Sequence, residues 1–115
     1  MGSPPDAAGE PLKYLSDGHS PDLLRKLRRG HWHVDDELDL HGMNRHQAAD
    51  SVDAFLRHCV ARGIRCVRIV PGKGMVLRAL LGERLPAREG LLAFCEAPAA
   101  QGGSGAVLVL LKASR

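Results

Sequence analysis

At 115 residues the chain has room for one domain with one modest core. A hydrophobic share of 44% and a charged share of 25% are ordinary for a water-soluble globular protein, and no apolar run approaches the roughly 20 residues of a membrane helix. The net charge of +3 is unevenly spread: residues 23–30 carry four bases, residues 35–39 four acids, and residues 61–84 six bases against Glu83 alone.

In chain order, residues 1–13 hold few large apolar side chains and read as a disordered tail; the acidic, Pro/Gly-rich start does not read as a signal peptide. Residues 14–34 form an N-terminal extension. Within it "SPDLLRKLRRG" predicts a short helix, with Ser20 as N-cap, Pro21 at the first position and Gly30 as the stop. Leu23, Leu24 and Leu27 make its apolar stripe, and Arg25, Lys26, Arg28 and Arg29 its basic face. Trp32 is expected to anchor the following loop, and His46 and His58 to be solvated. A first strand is expected at 37–41. "NRHQAADSVDAFLRHCVARG" predicts the clearest helix: Asn44 and Gln47 fit a capping box, and Ala48, Val52, Phe55, Leu56, Cys59 and Val60 share one face. "IRCVRIV" predicts a second strand, "GKG" a turn, and residues 75–85 a helix with Met75 as core or loop packing. Strands at 91–97 and 106–112 complete the chain. The last is apolar on both faces, as a central strand in a covered sheet would be.

The order βαβαββ predicts an α/β two-layer sandwich with a four-stranded mixed sheet. Its first two strands should run parallel through a right-handed crossover. Side chains alternate along a strand, so Leu38 and Leu40 face the core while Asp39 and His41 share the other face. Both lie at the carboxyl end of the first strand, the edge where parallel sheets hold ligands. The second strand delivers Gly72-Lys73-Gly74 to that edge, where a helix N-terminus also points. The result is a candidate phosphate seat beside an Asp-x-His pair. Three cysteines, an odd number without CxxC spacing, fit a reduced, cytoplasmic protein and suggest neither a disulfide framework nor a zinc site.

"LDLHG", "VRIVPGKG" with "VLRALL", "LLAFCEAP" and "GGSGAVLVLLK" together resemble the Smr (small MutS-related) domain, here over residues 35–115. "KYLSDGHSPDLLRKLRRGHW" is similar to the extension of small stand-alone bacterial Smr proteins. The resemblance implies a four-stranded α/β sandwich like the C-terminal domain of bacterial translation initiation factor three. It also implies nucleic-acid binding and endonuclease activity, on mRNA of stalled ribosomes or as DNA nicking. The motif residues it carries over are Asp39 to Gly42 and Gly72 to Gly74. Two departures stand out: Pro71 occupies the place of a His or Thr, and Ser16 that of an Arg.

These readings give the expected site. Asp39, His41 and Lys73 are the candidate catalytic residues. Gly42, Gly72, Lys73, Gly74, Arg25, Lys26, Arg28, Arg29, Arg65, Arg68 and Arg78 are the candidate phosphate and nucleic-acid contacts. With no stacking platform of exposed aromatics, binding should go to backbone and shape. RNA supplies its own 2′-OH nucleophile, so no cofactor is required; DNA nicking needs an activated water, for which Mg²⁺ held by Asp35, Glu37 and Asp39 is the alternative. The expected partner is nucleic acid, RNA ahead of DNA, with the ribosome as its setting; a monomer away from membranes is expected. Two other functions stay open: a binding-only module impaired at Pro71, and a domain for a small phosphorylated ligand at Gly72–Gly74.

Overall fold

A computed structural model describes residues 11–72 and 74–113. The elements run β1 (Lys13–Leu15), α1 (Asp22–Arg28), β2 (Asp36–Asp39), α2 (Arg45–Ala61), β3 (Cys66–Val70), α3 (Met75–Arg84), β4 (Leu91–Glu96) and β5 (Val107–Leu111). They form one five-stranded mixed sheet in the order β1-β4-β5-β3-β2. Only β2 and β3 are parallel, joined by α2; all other pairs are antiparallel.

The expected four strands are all present, within two residues of their expected ends. The fifth, β1, is the correction. Three residues are too few to display an alternating pattern, but Lys13–Leu15 pairs with Ala93–Cys95, and Tyr14 stacks on Phe94 with ring centroids 5.5 Å apart. Of the expected tail, residues 1–10 lie outside the described residues. Leu12, however, packs against the core, its carbonyl accepts the Glu96 N–H, and its own N–H donates to the Glu96 carboxylate.

The sheet has a core on each face. On one, α2 and α3 bring Val52, Leu56, Leu80 and Leu81 against Val67, Ile69, Val107 and Val109. On the other, α1 brings Leu27 against Ala93, Cys95, Leu108 and Leu110, with Leu23, Leu24 and Trp32 beside them. All five residues of β5 are buried, which is why its sequence is apolar throughout. Phe94 is buried and Phe55 partly so, each against the first core.

Local signals set the element ends. The Asn44 side chain accepts the Gln47 N–H, and the Gln47 side chain accepts the Asn44 N–H, so the capping box that begins α2 is complete. Such a cap stabilises a helix start by about 1 kcal/mol. α1 begins one residue later than its sequence cap suggests, yet Ser20 Oγ still accepts the Asp22 N–H.

Candidate functional site

Alternation along β2 puts Leu38 and Leu40 against the first core and leaves Asp39 and His41 exposed on the opposite face, as expected. The ladder continues one step past β2, where the Leu40 N–H donates to the Val70 carbonyl. The chain then turns at Gly42 with a positive φ of 82°. This turn brings the pair together. His41 N–H donates to Asp39 Oδ1 at 3.0 Å, and His41 Nδ1 lies 2.9 Å from the same oxygen. The two bonds, the backbone one first, hold the Asp39 carboxyl below its usual value. A carboxylate only accepts, so a neutral His41 keeps its proton on Nδ1 and presents the Nε2 lone pair to solvent. The imidazole is 78% exposed and open to a ligand.

Gly72 completes the juxtaposition. Its φ of +84° is one that residues with a Cβ rarely adopt, and a Cβ built there would lie 3.9 Å from His41 Cβ. The loop after β3 thus runs alongside the Asp39–His41 turn. Gly74 is the N-cap of α3 with no side-chain cap, so the first turn of that helix offers free N–H groups at the same edge. Lys73 lies outside the described residues. Pro71 is buried, and its side chain has no proton to exchange. Among the described residues, Met75 and Val76, at 43% and 59% exposure, are the exposed large apolar side chains; Met75 is therefore not core packing.

The expected cations separate. Arg25, Lys26, Arg28 and Arg29 are exposed on and just after α1, the first two paired with Asp22. Their helix covers β4 and β5 on the same sheet face that carries Asp39, whereas Asp39 stands on the β2 edge. Arg65 donates to the Leu111 carbonyl and lies over Trp32 at 5.9 Å, so its role is in packing. Arg68 pairs with Glu37 at 2.7 Å. Arg78 is a correction: it is buried, bound to the Glu96 carboxylate and the Ser104 carbonyl, and unavailable to a phosphate. Helical periodicity places it on the α3 face that meets the sheet; its charge alone suggested a surface.

The three acids of the Mg²⁺ alternative each have a different partner: Asp35 bonds to His33, Glu37 to Arg68 and Asp39 to His41. No group of three or more metal-ligating side chains occurs among the described residues. Trp32 is half-buried with the His31 ring edge-on at 4.6 Å, which fits its expected anchoring role; His46 and His58 are exposed. Among the described residues no helix is long and apolar enough to cross a membrane.

The family model of the Smr domain matches residues 38–112. The chain belongs to the Smr family. Similar curated proteins include ribosome rescue factor SmrB of Aliivibrio salmonicida, 34% identical over 88% of this chain, and that of Haemophilus influenzae, 36% identical over 87%. The chain spans 58% and 60% of the length of these two relatives. Among solved structures, YdaL, a stand-alone small MutS-related protein from Escherichia coli, aligns with a TM-score of 0.80 at 28% identity over 91% of this chain and 86% of its own. The Smr domain of Thermus thermophilus MutS2 aligns at 0.65 with 33% identity, covering 68% of this chain and 99% of that domain. The YdaL alignment reaches beyond the family match, so the Smr likeness takes in part of the extension.

Proposed function

We propose that this Smr protein is an RNA endonuclease that acts on ribosome-bound mRNA. One observation carries the chemical part: the Asp39–His41 turn and Gly72 meet at one open edge, which sets an imidazole with a free Nε2 beside a glycine loop and a helix N-terminus. The ribosomal setting rests on the relatives named ribosome rescue factors.

In this mechanism His41 Nε2 removes the proton of a substrate 2′-OH. The freed oxygen attacks the adjacent phosphorus, the P–O5′ bond breaks, and a 2′,3′-cyclic phosphate forms. The 5′-oxygen leaves with a proton from water or from Lys73. Asp39 fixes the His41 tautomer and stabilises the imidazolium formed. N–H groups at the start of α3, which no side chain caps, stabilise charge on the non-bridging oxygens. This route uses no metal ion; Mg²⁺ belongs to the DNA-nicking alternative.

The binding-only reading draws on Pro71, which supplies no second proton carrier at this edge. Incubation of RNA with wild type and His41→Ala decides between them. Nuclease chemistry predicts cyclic-phosphate ends from the wild type and a loss of about 10²–10⁴-fold in rate for the variant. A binding module predicts equal, negligible rates with RNA binding retained.

A further inference from the structure

From Gly72 the surface opens into a groove whose other lining residues the chemistry above does not use. Its floor is the outer face of β2–β3, where Glu37 stands beside Arg68 and Val70 follows. Its wall is the loop over residues 98–106, contributing Gln101, Gly102 and Gly105. The space is about 450 Å³. That is within the range of sites that hold one small organic group, roughly 300–1,000 Å³.

The wall is well held. Two short 3₁₀ turns, at 99–101 and 103–105, build it. Gly102 at φ 115° joins them so closely that a Cβ there would meet Ala106 Cβ at 2.8 Å. Arg78 reaches the Ser104 carbonyl from beneath. On the floor, Arg68 is oriented twice, by Glu37 Oε2 at 2.7 Å and by the Gln101 carbonyl at 3.4 Å. A guanidinium fixed in this way presents a plane on which a base can stack.

We infer that this groove receives the base of a nucleotide next to the scissile phosphate, on one flank of the substrate only. This rests on the nuclease reading and adds to it a substrate subsite. A base rather than a phosphate is the occupant, because the Arg68 charge is already neutralised by Glu37 and most of the lining is apolar or glycine. The direction of the strand follows from a second hollow of about 290 Å³ that shares Gln101 and is lined by Trp32 and Leu27. The exposed Arg28 and Arg29 of the α1 end stand in the chain between two of that hollow's lining residues, Leu27 and Gly30. A strand leaving the catalytic edge along this face goes from an acidic rim toward basic side chains.

The test is an abasic scan. Each nucleotide on either side of the cleavage site is replaced in turn by an abasic ribose, and cleavage and binding are measured for wild type and Ala100→Trp. Ala100 is exposed at the groove rim, so the indole can fill the groove without entering the core. One abasic position, on one flank, should lower kcat/KM by roughly ten-fold, a typical value for one lost base stack. Ala100→Trp should lower it similarly on intact RNA and add nothing on that abasic substrate. RNA that is cut with equal abasic effects on both flanks, or with no effect of Ala100→Trp, overturns the groove while leaving the nuclease intact. RNA that is bound but never cut, by wild type as by His41→Ala, removes the nuclease reading; an abasic effect on binding at a single position of the bound strand, abolished by Ala100→Trp, would then still support a base in the groove, and its absence would overturn it. No RNA binding at all overturns both.

Discussion

Arg78 is predicted to be a structural keystone of the site rather than a contact of it. Its side chain is 8% exposed and that of its partner Glu96 15%, and the pair links α3 to β4. Glu96 also accepts the Leu12 N–H, and Arg78 donates to Ser104, so β1 and the 98–106 loop are fastened through the same two residues. Replacement by Met keeps most of the buried volume and removes the charge, leaving the Glu96 carboxylate half-satisfied. Breaking a buried pair from one side costs about 3–5 kcal/mol. The surviving Leu12 N–H bond puts Arg78→Met near the lower end, about 3 kcal/mol. With a urea slope of about 2 kcal/mol/M, the unfolding midpoint should fall by about 1.5 M. The double variant Arg78→Met, Glu96→Gln removes the stranded charge and keeps an acceptor for Leu12. It should recover about 1–2 kcal/mol of the loss. Urea unfolding followed by Trp32 fluorescence reads all four proteins of the cycle. An Arg78→Met midpoint within about 0.3 M of wild type would refute the assignment, and so would a double variant no better than the single.

Four other outcomes are expected. Asp39 should titrate below its ordinary value of 3.8, as read by carboxyl NMR shifts. A carboxylate lowered by folding adds stability above its unfolded value and loses it as pH falls through the lowered one, so the Asp39 share should vanish only at strongly acid pH. His41→Ala should restore that titration only in part, because the backbone N–H bond, the larger cause, survives. Burial pushes Cys59, Cys66 and Cys95 up to about 11, so a thiol reagent at pH 8 should label none of them in the native protein and all three in denaturant. Deletion through Leu15 removes β1 and uncovers Phe94, and should lower the melting temperature by several degrees; an unchanged melt would mean that β1 contributes nothing. RNA affinity should fall steeply between about 50 and 200 mM salt, with a shallower slope for Arg28→Glu, Arg29→Glu; equal slopes would remove α1 from the interface.

The fold was legible wherever sequence period and burial agree. α2 combines a complete cap with an amphipathic face, and β5 is apolar because both its faces are covered. β1 was not legible, since its three residues are defined by their partner in β4 rather than by any pattern of their own. At the site, alternation along β2 identified the exposed pair, but the contact between its members depends on the turn at Gly42. The cations were the least legible. Arg25 and Arg78 are the same residue type in similar helical contexts, and only the packing of α3 against β4 makes the second a buried pair. The groove is invisible in sequence for a related reason: it needs the 98–106 loop to fold beside β3, far away along the chain.

The most direct test of the RNA mechanism is single-turnover cleavage of one RNA and of the same strand with a single 2′-deoxy nucleotide at the cleavage site, both in EDTA. Attack by the 2′-oxygen under His41 predicts rapid cutting of the first strand and none of the second at that position, although both bind equally. Cutting of the deoxy strand at a comparable rate would contradict the internal nucleophile and with it the role given to His41 Nε2.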